Sequence, residues 1–279
     1  LSWLFYVPLF LLGVPAEVYV TVASANLIYQ FWVHTEHVPK LGWFEWFFVS
    51  PSNHRVHHAQ NDQYMDRNYG GVFIIWDRLF GTFQEEQDDE PCVFGIRGPL
   101  HTFNPLWANL HIYVGMIQDA WRTADGRDRL RVLWSRTGWR PADVAERFPR
   151  EKTDLGNFQK YDPPVSGLVN AYALLQLLVT TGVGTALLFV TGLTWPIAAA
   201  VVGLMLLAMV CTGYWLDGRR PVGLELLRLG LSGLMLFIAW QSSVSSWVTL
   251  PLTTYLVANL MLLPGLSQAS LRLPGLAAR

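Results

Sequence analysis

Apolar residues run almost without interruption over residues 1–33, with Glu17 the one charge among them. Pro8 and Pro15 divide the run. A bilayer crossing takes about 20 predominantly apolar residues. The pattern therefore predicts the end of one spanning helix, closing near Gly13, and a second spanning helix over 15–33. Apolar character returns at Ser166 and lasts to Leu266, where four further spans are predicted over 168–191, 195–215, 224–240 and 248–263. Charges in this C-terminal stretch are confined to the Asp217-Gly-Arg-Arg220 turn and to Glu225 and Arg228 near one end of the third span.

Residues 40–165 differ in kind. They hold 15 of the 20 Lys and Arg and 17 of the 21 Asp and Glu, a density that no bilayer-spanning segment sustains. Two stretches inside this polar body, 42–49 and 69–83, are dense in aromatics with a few charges. Trp and Tyr favour the headgroup level, so these read as helices lying on the membrane surface. The acidic run Glu85-Glu-Gln-Asp-Asp-Glu90 reads as a solvated loop. The chain thus divides into 1–38, the end of an N-terminal transmembrane bundle; 39–165, a polar region; 166–266, C-terminal spans; and 267–279, a tail. Counting spans puts the 217–220 turn, the polar body, Arg272 and Arg279 on one side, which the positive-inside rule makes cytoplasmic. The expected fold is an all-α integral membrane protein: a multi-span helical bundle with a cytoplasmic histidine-rich helical cap and interfacial amphipathic helices.

Composition agrees. Of 279 residues, 52% are hydrophobic and only 15% charged, where a soluble domain carries about 25% charged. A net charge of −1 gives no reason to expect a nucleic-acid partner. Cys92 and Cys211 could form one bridge at most, so there is neither a disulfide framework nor a thiolate metal motif, and Cys211 is expected as a free, buried thiol. Leu1 sits inside an apolar run already under way, and the reading expects a longer protein upstream of it.

Histidine clustering carries the chemistry. His34-Thr-Glu-His37 ends the predicted span over 15–33, and His54-Arg-Val-His57-His58 follows sixteen residues after His37. Positions i, i+3 and i+4 share a helical face, so His54, His57 and His58 are expected to converge on one point near His34. Imidazole is a ligand for iron, zinc and copper alike. No thiolate accompanies the cluster, which excludes the structural zinc patterns, and no Glu follows a histidine as in the zinc proteases. His37 is a weaker candidate because Val38-Pro39 ends the helix beside it. His101 reads as structural and His111 as at most a peripheral partner. Four histidines are too few for two metals unless further ligands come from elsewhere.

Three segments carry a resemblance: Tyr29-Gln-Phe-Trp-Val-His34-Thr-Glu, then Pro51-Ser-Asn-His54-Arg-Val-His57-His58, then Asp66-Arg-Asn-Tyr-Gly-Gly-Val-Phe-Ile-Ile-Trp-Asp-Arg-Leu-Phe-Gly-Thr-Phe83. Together they resemble the sterol desaturase/fatty acid hydroxylase superfamily, and within it the ether-cleaving alkylglycerol monooxygenase branch and its bacterial relatives. Softer matches continue through Val93-Phe-Gly-Ile, His101-Thr-Phe-Asn-Pro105 and Leu216-Asp-Gly-Arg-Arg-Pro221. The resemblance implies iron ligation by His34, His54, His57 and His58, with Glu36 as an acid beside the site and Asn68 in the motif that follows; Glu36 and Asn68 are the residues expected to serve catalysis. Tyr69, Trp76 and Asp77 match that same motif. Further histidine boxes of the superfamily precede the point where this sequence begins.

The function implied is that of a membrane-bound di-iron oxygenase acting on lipids with O₂. In the ether-cleaving branch the hydroxyl lands on the carbon beside the ether oxygen, and the hemiacetal collapses to fatty aldehyde and glycerol. Tetrahydrobiopterin is the reductant the resemblance implies, although no residue here marks a pterin site, and the residues leave the electron donor unnamed. A sterol or fatty-acyl hydroxylase or desaturase is the alternative within the class. A metal transporter or non-catalytic scaffold is the alternative outside it, disfavoured because the C-terminal spans carry few ionisable residues.

Overall fold

The computed structural model describes residues 3–136, 138–242 and 245–269; Arg272 and Arg279, which entered the topology above, lie outside the described residues. Among the described residues the chain is helical with no strand, and its extended pairings are two isolated bridges, Phe48 with Phe73 and Ala59 with Phe94. It forms two compact units, Leu1–Pro99 with Arg150–Gln159, and Leu100–Pro149 with Lys160–Arg279. The first carries the histidine boxes and is called the histidine unit below; the second is the bundle unit.

In the histidine unit, α1 (Trp3–Leu11) turns at Gly13, whose φ of +86° is the left-handed conformation glycine adopts freely, and α2 (Ala16–Val33) follows Pro15. Glu17 in the first turn of α2 suits the positive end of the helix dipole. The helix ends at His34, and Val38-Pro39 prevents its resumption. The predicted span over 15–33 is met in part. The helix forms, but Glu17, Asn26 and Gln30 dilute its apolarity, and it is not among the helices long and apolar enough to cross a membrane.

The two aromatic stretches are shorter helices than expected. One is a single 3₁₀ turn, Gly42–Trp46, and the other is α4, Ile75–Phe80, closed by Gly81 at φ +74°. Their rings nevertheless face outward. Trp43 is 74% exposed, Trp46 62%, Trp76 54% and Phe80 73%, which is how headgroup-level aromatics sit and not how an aromatic core does.

In the bundle unit, α5 (Pro105–Arg122) is capped by Asn104, whose side chain accepts from the Leu106 and Trp107 amides, with Pro105 in the first turn. Short helices α6 (Gly126–Arg131) and α7 (Ala142–Arg147) follow. Then come α8 (Gly167–Phe189), α9 (Trp195–Leu216), α10 (Val222–Gln241) and α11 (Ser246–Ala269). These four are long and apolar enough to cross a membrane, on the segments predicted from hydropathy. At most 22% of any of the four is buried, and Leu177, Leu188, Phe189, Trp195 and Met261 lie open. A soluble protein rarely tolerates apolar exposure on that scale, whereas hydrocarbon does. The architecture is that of an all-helical, multi-pass membrane protein.

What the bundle does bury is partly polar. Glu225 and Arg228, both 1% exposed, pair at 2.5 Å. Arg228 also donates to Tyr255 Oη (2.8 Å) and Asn259 Oδ1 (2.9 Å), Tyr172 donates to Glu225 (2.6 Å), and Gln176 Nε2 reaches Asn259 (2.8 Å). The network ties α8, α10 and α11 together, packed beside Val169, Trp215, Leu229 and Leu266. Two of the segments singled out by resemblance also meet in this unit. Asp217 accepts from the Thr102 hydroxyl (2.5 Å), the Phe103 amide (2.7 Å) and Tyr161 (3.1 Å). Gly213 permits that approach, since a Cβ there would stand 2.6 Å from the Phe103 carbonyl oxygen.

Candidate metal centre

Helix α3 (Pro51–His58) delivers two of the imidazoles. Ser50 caps it by accepting the Asn53 amide at 3.3 Å, with Pro51 in the first turn. The cap is itself held: Ser50 and Ser52 hydroxyls donate to Glu45 Oε1 at 2.7 and 2.6 Å, and the Leu41 amide donates to the same oxygen at 2.8 Å. A buried carboxylate at a helix N-terminus is favourably placed. The third imidazole arrives from the end of α2. His34 Nδ1 lies 2.5 Å from the Gln30 carbonyl, which can only accept, so Nδ1 carries the proton and neutral His34 presents a lone pair at Nε2.

The three Nε2 atoms converge: His34 to His54 at 2.9 Å, His54 to His58 at 3.0 Å and His34 to His58 at 3.2 Å. Adjacent ligands at right angles around an ion with bonds of about 2.1 Å stand about 3.0 Å apart, and tetrahedral ligands about 3.4 Å. The triangle is of the size that three imidazoles holding one ion would form. Burial pushes His54 down to about 3, with the neighbouring imidazoles adding to the effect, and burial lowers His58 in the same direction. Both rings are thus held neutral, the form a metal binds. His54 Nδ1 is buried without a hydrogen-bond partner. Three facing Nε2 atoms are poorly satisfied by each other and well satisfied by a cation.

His57 is turned aside. Its ring centroid lies 5.5 Å from that of His54 and 5.2 Å from that of His58, and its Nδ1 faces the Arg67 carbonyl at 3.3 Å. Consecutive helical residues diverge by about 100°, and here His57 and His58 leave α3 in different directions. Among the described residues, one group of three or more potential ligands converges, and it is His34, His54 and His58. His37 stays outside it, its amide bonded to Thr35 Oγ1. In the bundle unit His101 stacks on Tyr161 at 5.5 Å, and His111 Nδ1 faces the Trp107 and Ala108 carbonyls of its own helix.

A cavity of about 420 Å³ opens over the triad, lined by Val33, Thr35, Glu36, Arg55, Phe94 and Ile96 beside the three imidazoles. Glu36 is therefore at the site's rim. Asn68 is not among the lining residues: it is 1% exposed, donates to the Asn53 and Gln84 carbonyls at 3.0 and 2.8 Å, and accepts the Gln84 amide at 2.9 Å. That bridges α3 to the strand-like return of the chain, from a left-handed backbone at φ +52°. Asp77 organises the same motif, accepting the Tyr69 and Gly70 amides (2.7 and 2.8 Å) and the Thr82 hydroxyl (2.6 Å). At Gly70 a Cβ would stand 2.6 Å from the Phe73 carbonyl oxygen, so the Gly is sterically required. Trp76 and Tyr69 are exposed members of this segment.

Sequence reasoning missed one acidic partner of the box helix and one of the segment just after it. Glu86, in the acidic run read as a solvated loop, forms a bidentate pair with Arg55 at 2.7 and 2.8 Å. Glu90 accepts from Asn61 Nδ2 at 2.8 Å. Spacing gives no sign of either, because the pairings span 31 and 29 residues of mostly irregular chain.

Comparison with known proteins defines the class first. Residues 1–82 match the family model described as Fatty acid hydroxylase, and this segment, which contains all three converging histidines, carries that family's domain. Closer relatives follow. The chain is 33% identical over 225 residues to an alkylglycerol monooxygenase of Xenopus tropicalis, covering 80% of this chain and 50% of that protein. It is 37% identical over 238 residues to the alkylglycerol monooxygenase of Danio rerio, covering 81% and 51%. An ornithine lipid hydroxylase, OlsE, of Rhizobium tropici is 30% identical over 92 residues, 33% of this chain and 28% of that protein. The chain spans about half the length of the alkylglycerol monooxygenases it matches most fully. No solved structure matches.

Proposed function

We propose that this chain is the histidine-bearing part of a membrane-bound, iron-dependent monooxygenase that uses O₂ to cleave alkylglycerol ethers to aldehyde and glycerol. The observation that carries the reading is the triangle of Nε2 atoms, 2.9 to 3.2 Å apart, in a chain similar over most of its length to alkylglycerol monooxygenases. Bound iron would supply O₂ activation and the oxidant for an unactivated C–H bond. His34, His54 and His58 would hold one ion, the first oriented by the Gln30 carbonyl and the second kept neutral by burial. His57 would serve a second ion, whose remaining ligands are not among the described residues.

Ether cleavage then requires the hydroxylated carbon to lose a proton from its hydroxyl while the ether oxygen gains one. Glu36, which lines the cavity, would move that proton. Asn68 serves by fixing α3 against residue 84. Electrons would come from a tetrahydropterin, and the site would face the cytoplasm. Exposed aromatics of 42–49 and 69–83 would rest this unit on the membrane from which the lipid enters.

The test is O₂-dependent release of fatty aldehyde from an alkylglycerol by the full-length protein in membranes, with and without tetrahydropterin, alongside metal analysis. Iron content with pterin-dependent aldehyde supports the reading. A stable hydroxylated acyl chain or sterol without aldehyde transfers it to the alternative, a lipid hydroxylase, which the similarity to the ornithine lipid hydroxylase favours. Absence of bound iron with no lipid oxidation leaves a scaffold or transporter.

A further inference from the structure

His34 is the one member of the triad that is not on α3, so the site's geometry depends on how the chain after His34 is held against that helix. Arg55 does this. Its Nη1 donates to the Thr35 carbonyl at 3.1 Å and to the Val38 carbonyl at 3.0 Å, the two oxygens that bracket the turn leaving His34. Its Nε and Nη2 donate to Glu86 Oε1 and Oε2 at 2.8 and 2.7 Å. The side chains are 13% and 16% exposed. The fork geometry of guanidinium on carboxylate fixes the plane of the group as well as its position. With that plane fixed by Glu86, Nη1 can point only at the two carbonyls. Although Arg55 lines the cavity, its charge is paired with Glu86 and four of its five N–H donors are spent on protein acceptors.

We propose that Arg55 and Glu86 form a positioning pair for the metal centre, holding the turn after His34 in register with His54 and His58. The inference rests on the triad being a metal site. It gives a role to the acidic run, whose Glu86 is docked on the box helix. It also predicts that an arginine is needed between the first and second histidines of the box, since lysine offers charge without the fork.

The experiment is Co²⁺ titration of the full-length, metal-free protein in lipid nanodiscs, followed by its visible absorption, for wild type, Glu86→Gln and Arg55→Lys. Outer partners that orient a metal's ligands change affinity by about 10–100-fold. The expected result is Co²⁺ binding weakened by about 10-fold or more in both variants, with an altered band position or intensity, and a thermal midpoint of the metal-free protein close to wild type. Wild-type Co²⁺ affinity and spectrum in Glu86→Gln would overturn the pair's role while leaving the metal site standing. So would a fall in midpoint with an unchanged spectrum, which is what a merely structural pair gives. Failure of the wild type to take up Co²⁺ would instead remove the metal reading on which the proposal rests. Glu86→Gln preserves side-chain shape and decides the matter alone if Arg55→Lys does not fold.

Discussion

Each unit of this protein buries a polar cluster, and the two clusters are solved differently. In the bundle unit, Glu225, Arg228, Tyr172, Tyr255, Gln176 and Asn259 bond one another, donor to acceptor, across three helices. In the histidine unit, three Nε2 atoms face one another and the Nδ1 atom of His54 has no partner. In the bundle unit an opposite charge and matching acceptors clamp the helices even with Glu225 Oε2 and Arg228 Nε left over; three like nitrogens have no such partner and suit a cation. The difference teaches that polarity in an apolar setting marks chemistry where like groups are gathered on one point, and not merely where a single atom lacks a partner.

That contrast can be broken most directly by removing one member from each side. His54→Ala should reduce iron content and aldehyde release by more than ~100-fold, beyond the range for outer-sphere partners. Its metal-free form should still fold, since His34 and His58, the neighbours left behind, still face each other at 3.2 Å. Equal iron content in the variant would sink the triad. Arg228→Met should do the opposite, leaving Glu225 buried without its cation. It should destabilise the bundle by about 3–5 kcal/mol, read as a lower thermal midpoint in nanodiscs, while bound iron per folded molecule stays at the wild-type level. Glu225→Gln with Arg228→Met should recover most of that loss, because the uncompensated charge is gone. If the double variant is as weak as the single one, the network is more than a clamp.

Smaller effects sharpen the picture. Gly213→Ala forces a methyl to 2.6 Å from the Phe103 carbonyl oxygen, and overpacking of this kind costs about 1–3 kcal/mol. The same thermal measurement checks it, and an unchanged midpoint would mean the 101–105 segment is not held on α9. The pH dependence belongs to the histidine unit. His54 titrates near 3 when folded and near its ordinary 6.5 when unfolded, so the unfolded chain binds the extra proton between these values. Metal-free stability is therefore full above about pH 6.5 and falls as the pH drops, by up to about 1.4 kcal/mol per pH unit. Urea unfolding of the metal-free protein at pH 7 and pH 5.5 reads this; stability that rises on acidification contradicts it.

Much of the architecture was legible in the sequence because hydrocarbon imposes a one-dimensional rule. Four long apolar runs, uncharged but for Glu225 and Arg228, could be only buried helices or spans, and their positions along the chain match the helices observed. Residues 15–33 were less decisive, since Glu17, Asn26 and Gln30 reduce the apolarity that a span needs. Surface helices over 42–49 and 69–83 were overdrawn: local glycines and the amides gathered by Asp77 turn the chain before a long helix can form. The aromatic, outward character of those stretches was read from composition and is what exposure shows.

The sequence by itself determined that His54 and His58 share a helical face, because i and i+4 must, and that His34 ends a helix that proline prevents from continuing. It determined the apolar spans for the same reason, since periodicity and hydropathy are local. Only the tertiary structure decided that His34 meets His54 and His58 at about hydrogen-bond distance while His57 turns toward Arg67. Only the tertiary structure joined Arg55 to Glu86, Asp217 to Thr102, and Gln176 to Asn259 across 31, 115 and 83 residues. Those pairings depend on loop paths and helix packing, and the contact energy that selects them is shared among residues whose spacing along the chain carries no signal.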